Sequence, residues 1–238
     1  MLIHWECLEE MDKLIEQWIV VDSIIADIPY WTTACKWDTV IPFPDMWERL
    51  NKLIKPNWAI VLFWSEPFSS ALRMSNIKNY KYDWVWEKNK WSNFASVKYQ
   101  PMKVHEIISI FNKHNYYPIK EDYSEAWKSR NKYKRKGWIV NEITWMITTS
   151  QEKYPEERKR NPRSVFKINT EHWLHPTQKP VALMEYLIKT YTNEWETVLD
   201  FTAWSWTTCL AAKNLNRKFI GIELDENYFN IANERIYG

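Results

Sequence analysis

Residues 200–208 read Asp-Phe-Thr-Ala-Trp-Ser-Trp-Thr-Thr, and this stretch decides the fold. It follows a short apolar run at 197–199, typical of a buried strand, and leads into 209–212, which predicts a helix. A loop between the end of a strand and a helix is where α/β proteins bind an anionic or polar cofactor. Such loops need glycine, because the backbone takes positive φ angles and the ligand comes close. Here Trp204 and Trp206 stand at the two central positions.

Strand and helix signals alternate on both sides of this loop. Strands are predicted at 2–4, 19–26, 59–63, 82–86, 106–111, 197–199 and 218–224, and helices at 7–17, 45–54, 180–191, 207–214 and from 225 onward. This alternation implies an α/β fold with a mostly parallel sheet and helices on both faces. Residues 114–172 interrupt it, because they are polar, rich in lysine and arginine and weakly periodic. We therefore expect one domain, formed by 1–113 and 173–238, with an insert at 114–172.

Composition narrows the class of protein. The chain has 238 residues and a net charge of +2, so any affinity for nucleic acid must come from local clusters of cations. Its three cysteines are far apart and its five histidines lack ligand spacing, so we expect no metal site. No signal peptide and no apolar run long enough to span a membrane are present, which predicts a soluble, cytoplasmic protein. Monomer and homodimer both remain open.

A candidate catalytic motif, Asp27-Ile28-Pro29-Tyr30, ends a predicted strand. A carboxylate, a backbone carbonyl beside a rigid proline and an aromatic ring would project from the edge where open α/β sheets bind ligands. Together they suit a flat heterocycle with an exocyclic amine, because Asp27 and the carbonyl accept the amine hydrogens and Tyr30 stacks on the ring. The alternative is a turn that Asp27 caps.

Two further motifs follow the insert. Residues 175–180 read His-Pro-Thr-Gln-Lys-Pro and lead into a predicted helix, which is also consistent with an ordinary proline-marked helix start. The strand-loop-helix-strand run of 198–223 ends in Gly221-Ile222-Glu223. An acidic residue about 20 residues past such a loop suits hydrogen bonds to ribose hydroxyls. For Glu223 alone, a charged strand end is the alternative.

In this order, the three motifs resemble those of the β-class DNA amino-methyltransferases of phages and bacteria. The resemblance implies a class I methyltransferase fold, which is Rossmann-like, with S-adenosylmethionine as cofactor and double-stranded DNA as partner. Residues 1–113 would form the catalytic half, 114–172 the target-recognition insert and 173–238 the cofactor-binding half. It also implies a base that is flipped out of the duplex before methyl transfer to its amine.

The resemblance assigns residues as well. The catalytic ones would be Asp27, Pro29 and Tyr30, with Ile28 in place of the first proline of the family motif. The cofactor-binding ones would be Glu6, Thr177, Gln178, Lys179, Asp200, Phe201, Thr202, Ala203, Trp204, Ser205, Trp206, Thr207 and Glu223. An aspartate at the first motif position is typical of adenine-N6 enzymes, and cytosine N4 is the alternative target.

A basic run lies inside the insert. Residues 128–136 contain six cations and no acid: Lys128, Arg130, Lys132, Lys134, Arg135 and Lys136. Such a run is often just a solvated surface. In the insert of a DNA enzyme, we expect these cations to bind phosphates.

The tryptophan content is abnormal. The chain has 17 tryptophans and only 3 glycines, where average usage would give roughly 17 glycines. About ten tryptophans fall where the family carries glycine: Trp5, Trp18, Trp31, Trp58, Trp64, Trp91, Trp173, Trp195, Trp204 and Trp206. Left-handed conformations cost a non-glycine residue about 1–2 kcal/mol each, and we expect the indoles of Trp204 and Trp206 to fill the cofactor site.

Three explanations compete: a degenerate protein, deliberate substitution, and a gene whose UGA codons mean glycine but are translated as tryptophan. We favour the last, because drift would not choose one replacement at so many positions. If the tryptophans are real, the chain is a catalytically inactive relative that still binds nucleic acid. An amino-methyltransferase acting on RNA or protein is a third possibility.

Overall fold

A computed structural model describes residues 1–29, 41–92, 96–130, 133–136, 150–153, 159–171, 178–204 and 206–238. These residues form two compact units. The first contains Met1–Tyr117 and Ser164–Gly238, and the second contains Pro118–Arg163.

Strands and helices alternate through the first unit as the sequence predicts. Its strands are β1 (Leu2–His4), β2 (Ser23–Asp27), β3 (Ile60–Trp64), β4 (Tyr80–Ser92), β5 (Lys103–Phe111), β10 (Val165–Lys167), β11 (Thr197–Asp200) and β12 (Lys218–Glu223). Its helices are α1 (Cys7–Glu16), α2 (Phe43–Leu53), α3 (Phe68–Ser75), α5 (Val181–Tyr191), α6 (Thr207–Asn214) and α7 (Glu226–Tyr237). The second unit has β6 (Glu121–Asp122), α4 (Glu125–Arg130), β7 (Tyr133–Lys136), β8 (Ser150–Lys153) and β9 (Lys159–Arg160).

The eight strands of the first unit form one sheet in the order β1-β12-β11-β2-β3-β5-β4-β10. Strand β5 is antiparallel to both of its neighbours, and every other described pair is parallel. From β2 the chain crosses through α2 to β3, whereas from β11 it crosses through α6 to β12 on the other side. The crossovers thus diverge between β2 and β11, which is where open α/β sheets bind their ligands.

Alternate side chains of the central strands face two separate cores. In β2, Ile24 and Ala26 pack with helices α1, α2 and α3, while Ile25 faces the opposite core with α5 and α6. In β3, Leu62 and Phe63 divide in the same way. This period of two on a sheet buried on both faces confirms the predicted mostly parallel sheet with helices on both sides.

Several turns use the left-handed region of the backbone. Trp18 (φ 58°), Trp195 (φ 69°) and Trp206 (φ 54°) lie there, three of the tryptophans at family glycine positions. At the end of α2 the structure differs from the expectation for Trp58, because Asn57 takes the positive φ instead (64°). Asparagine tolerates this region better than most residues do, since its short polar side chain can bond locally.

The second unit contains two small antiparallel ladders. Strand β7, with its cluster of cations, pairs with β8, and β6 pairs with β9. Arg160 holds Glu121 across the second ladder, with its Nε 2.9 Å from Oε2. Within the described parts of both units, no helix is long and apolar enough to cross a lipid bilayer.

Candidate active site

The candidate catalytic carboxylate lies at the end of β2, at the divergence of the crossovers. Oδ2 of Asp27 accepts hydrogen bonds from Nζ of Lys179 at 2.6 Å and from Nε1 of Trp204 at 3.2 Å. Among the residues that the structure describes, its Oδ1 is buried and has no hydrogen-bond partner. Burial raises the pKa of Asp27, and the ammonium of Lys179 opposes this rise. One carboxylate oxygen is therefore held by donors, and the other is left to accept a bond from a ligand.

Lys179 connects Asp27 to a second buried carboxylate. Its Nζ lies 3.3 Å from Oε2 of Glu106 on β5, and Glu106 also pairs with Lys88 of β4 at 2.6 Å. Burial alone would raise the pKa of Glu106, but the two ammonium groups outweigh it and lower the pKa to about 2. Glu106 is thus ionised at any pH at which the protein would work.

Two more carboxylates stand at the ends of the neighbouring strands β11 and β12. Asp200 accepts a hydrogen bond from the backbone N–H of Thr202, and Glu223 accepts one from that of Asp225 at 2.8 Å. Burial raises the pKa of Asp200 to about 7 and that of Glu223 to about 7. Thr202 also joins the two sides of the site, because its Oγ1 donates to the backbone carbonyl of Asp27 at 3.2 Å.

The two loop tryptophans point in different directions. The indole of Trp204 lies at Asp27, as its hydrogen bond shows. The indole of Trp206 is buried against Cys209, Ala232 and Ile236, and its Nε1 donates to the carbonyl of Tyr228 at 2.9 Å. The expectation that both indoles fill the cofactor site is wrong for Trp206, because its indole turns into the core, where its apolar surface is removed from water. For Trp204 the expectation stays a prediction.

The structure accommodates the Trp206 indole at the one internal glycine of β12. A Cβ atom at Gly221 would stand 2.4 Å from Cζ3 of Trp206 and 2.6 Å from Sγ of Cys209. Only glycine permits this close approach of ring and backbone.

The remaining cofactor candidates are placed around the same strand ends. Gln178 is buried, and its Nε2 has no partner among the described residues. Glu6 caps α1, where its Oε2 accepts a bond from the backbone N–H of Glu9. Phe201 belongs to the core beneath α1 and α2, so its side chain packs rather than projects. Ala203 and Thr207 are buried as well.

Other predicted residues are only partly placed. Tyr30, Lys132, Thr177 and Ser205 lie outside the described residues. Pro29 follows Ile28 directly after β2 and is half-buried. In the second unit, Arg130 ends α4, and Lys134, Arg135 and Lys136 lie in β7. Lys128 pairs with Glu125 one turn earlier on α4, at 2.7 Å.

Sequence reasoning missed Glu106 and Lys88. The one available signal was an acidic residue directly before the apolar run 107–108 of a predicted strand. A charged side chain at the border of a buried strand needs a partner, because isolated charges are rarely buried. No rule of local spacing relates it to Lys179, which lies far away in the sequence.

The mostly parallel sheet with helices on both faces is a class I methyltransferase fold. Residues 21–234 match the family model described as DNA methylase. Because this match covers most of the chain, the protein belongs to the DNA methylase family.

Individual relatives agree with this assignment. Type II methyltransferase M.HpaI of Haemophilus parainfluenzae is 28% identical over 91% of this chain and 68% of its own length. The crystal structure of the M1.HpyAVI-SAM complex covers 100% of this chain and 99% of its own, with a TM-score of 0.68 and 26% identity. PvuII DNA methyltransferase, which is cytosine-N4-specific, has a TM-score of 0.67 over 100% of this chain and 86% of its own. At 15% identity, that last likeness shows the fold alone.

Proposed function

We propose that this protein methylates the exocyclic amine of adenine, at N6, in double-stranded DNA, with S-adenosylmethionine as the methyl donor. The observation that carries the proposal is the buried Asp27 carboxylate, whose Oδ1 has no partner among the described residues. An amine hydrogen of a flipped base supplies the missing donor. An aspartate at this position, together with the family resemblance, favours adenine, and cytosine N4 is the competing target.

The residues of the chain have separate tasks in this reaction. Oδ1 of Asp27 accepts one amine hydrogen, which directs the nitrogen lone pair away from the carboxylate, while Lys179 holds Oδ2. We assign stacking on the base to Tyr30 and a second hydrogen bond to the carbonyl beside Pro29. Bound S-adenosylmethionine supplies an electrophilic methyl on a sulfonium. The amine nitrogen forms the new N–C bond, the C–S pair stays on sulfur, and the proton that nitrogen loses moves toward Asp27 or water. Most of the rate then comes from positioning.

The chain has suitable groups for this cofactor. Glu223 at the end of β12 suits ribose hydroxyls, and Asp200 stands next to it at the end of β11. Gln178 offers a buried amide nitrogen that has no partner among the described residues. Burial raises the pKa values of Asp200 and Glu223 to about 7. Hydroxyl donors or a cationic ligand would offset that cost of desolvation.

We further propose that glycine stands at positions 204 and 206 in the functioning protein. The indole of Trp204 occupies the hydrogen-bonding surface of Asp27, and Trp206 holds a left-handed φ of 54°. Glycine removes both conflicts without changing any other residue of the site. Glycine-coding UGA codons in the gene would explain the replacement.

The test is methyl transfer by the Trp204→Gly/Trp206→Gly protein. We expect label from S-adenosylmethionine in duplex DNA, recovered as N6-methyladenine when the DNA is digested to nucleosides. Asp27→Asn in the same background should lower the rate by a factor of roughly 100 or more, because the amide keeps the shape but loses an acceptor. Label found as N4-methylcytosine would overturn the choice of base. Label only in RNA or protein, or none at all, would overturn the function.

The second unit is proposed to be the target-recognition insert. Its sequence places Lys134, Arg135 and Lys136 together on β7. Replacing these three by glutamine should weaken binding to duplexes of all sequences and reduce the dependence of affinity on salt, as expected for lost phosphate contacts. Replacing Lys13, Lys52 and Lys189 of the first unit removes the same charge and serves as the control. Equal loss in both proteins would contradict a specific role for β7.

A further inference from the structure

Four charged side chains of alternating sign form a buried row at the end of β2. The row runs from Lys88 on β4 to Glu106 on β5, then to Lys179 before α5 and finally to Asp27. Its separations are 2.6, 3.3 and 2.6 Å. The side chain of Lys179 is only 5% exposed. Every contact in the row is therefore poorly screened by water.

Lys179 lies between two carboxylates that compete for one ammonium. A buried cation with a single carboxylate partner would hold that partner tightly, because the effective dielectric constant is low. Here Glu106 shares the Lys179 ammonium with Asp27. The positive charge of Lys88 in turn weakens the attraction between Glu106 and that ammonium. Among the described residues, the charged or polar groups that interact with Asp27 or Glu106 are Lys179, the indole of Trp204, Asp200, Lys88 and Lys103.

We propose that Glu106 is a positioning residue for Asp27, because it draws the Lys179 ammonium toward itself and leaves the Asp27 carboxylate able to accept the target amine. This inference rests on the proposed function. Glu106 touches neither base nor cofactor in this scheme and acts only through Lys179. Because the ammonium is shared, only Oδ2 of Asp27 is held in the ion pair, and Oδ1 is left without a partner among the described residues.

The proposal predicts shifts of opposite sign in the titration of Asp27. In Glu106→Gln, Lys179 no longer shares its ammonium with Glu106 and a nearby negative charge is gone, so the pKa of Asp27 should fall by about one unit. In Lys179→Met, the carboxylate loses its cation, so its pKa should rise by at least about one unit. In Lys88→Met, Glu106 attracts Lys179 more strongly, so the pKa of Asp27 should rise by less.

The experiment follows the side-chain carboxyl of Asp27 by carbon NMR across pH, in protein without cofactor or DNA. The Asp27→Asn protein identifies the signal. Glu87→Gln is the matched control, because Glu87 on β4 is likewise a carboxylate in an ion pair, with Lys167 at 3.5 Å, but is 46% exposed. We expect no shift in this control. Circular dichroism verifies folding, and Lys88→Met carries the test if Glu106→Gln fails to fold.

Activity supplies a second readout. In the Trp204→Gly/Trp206→Gly background, the acid limb of the kcat profile should move to lower pH in Glu106→Gln and to higher pH in Lys88→Met. In that background, kcat in Glu106→Gln should fall about tenfold with KM for S-adenosylmethionine unchanged. Shifts of the same sign in Glu106→Gln and Lys179→Met, or a Glu106→Gln titration equal to that of Glu87→Gln, would overturn the proposal. Opposite shifts in a protein that methylates nothing would support the charge row and refute the proposed function alone.

Discussion

The two sides of the candidate site treat their buried carboxylates differently. On the side of β2 and β5, lysines face Asp27 and Glu106, and the pKa of Glu106 falls to about 2. On the side of β11 and β12, backbone N–H groups bond Asp200 and Glu223, and burial raises both pKa values to about 7. On the first side the lysines fully compensate Glu106 and offset only part of the burial of Asp27, whose pKa stays raised. The second side needs donors from a ligand.

The two loop tryptophans also differ in their relation to these two sides. Trp204 and Trp206 belong to the loop on the cofactor side, yet the Trp204 indole reaches across to Asp27. Asp27 and its lysine partner are thus in place on the first side, whereas the loop of the second side carries both tryptophans. The motif at Asp27 thus keeps most of the family pattern, whereas the loop at 200–206 departs from it at the glycine positions 204 and 206.

Of the substitutions that test the two sides, replacement of Trp204 should have the largest effect, and the quantity that it changes is the affinity for S-adenosylmethionine. In Trp204→Gly, the indole no longer occupies the Asp27 carboxylate, and we expect affinity for S-adenosylmethionine to rise by a factor of about 100 or more, equivalent to about 3 kcal/mol. Isothermal titration calorimetry measures it. Trp195→Gly makes the same chemical change at the opposite end of β11 and should leave affinity unaltered. Similar affinities in the two variants would mean that the indole does not block the site.

The natural protein offers a direct check on the same loop. We expect the mass of its peptide covering 201–213 to show glycine at 204 and 206, with UGA codons at both positions of the gene. Tryptophan masses would establish the indoles as real, and the methyltransferase assignment would then describe ancestry rather than activity.

The uncompensated carboxylates predict a smaller, pH-dependent effect. The pKa of Glu223 is about 7 in the folded protein, above its ordinary value of 4.5. The contribution of Glu223 to stability is therefore fully present below pH 4.5 and is lost as the pH rises toward about 7. Glu223→Gln should therefore raise the free energy of unfolding at pH 8 by about 2 kcal/mol and leave it nearly unchanged at pH 5. Urea unfolding without cofactor measures this. Glu226→Gln, on the exposed side of α7, should show no such difference between the two pH values.

Sequence patterns predicted the fold well and the site only in part. Helix α6 has the predicted bounds, and α1, α5 and β12 differ by one residue at an end. In the last helix, the sequence pattern predicts burial of Tyr228, Ile231 and Ala232. Ala232 is buried, but Ile231 is 39% exposed and Ile236 is buried instead. The periodicity of a short helix leaves its orientation uncertain by a residue, whereas tertiary packing decides it.

The charge row escaped prediction for a different reason. Lys179 and Asp27 are 152 residues apart, and Glu106 enters from a third element. Motif spacing captures groups that one turn or one strand end brings together. A pair across the sheet depends on strand order, and strand β5 is inserted antiparallel between β3 and β4, which hydrophobic patterns do not reveal. Trp206 was misjudged because a bulky residue at a glycine-like position can turn into the core when a glycine, here Gly221, makes room.

The smallest expected effect concerns the tryptophans far from the loop. Trp18 holds a φ of 58° and is 91% exposed, so its side chain gains little from burial to offset the strained backbone. Trp18→Gly should raise the free energy of unfolding by about 1 kcal/mol, because the left-handed strain exceeds the added entropy of the unfolded chain. Trp127→Gly is the control, because Trp127 is not one of the tryptophans at family glycine positions and lies within helix α4, where glycine should destabilise. If chemical unfolding shows Trp18→Gly to be the less stable protein, strain does not mark this position as a glycine site, and the case for glycine would rest on the loop at Asp27 alone.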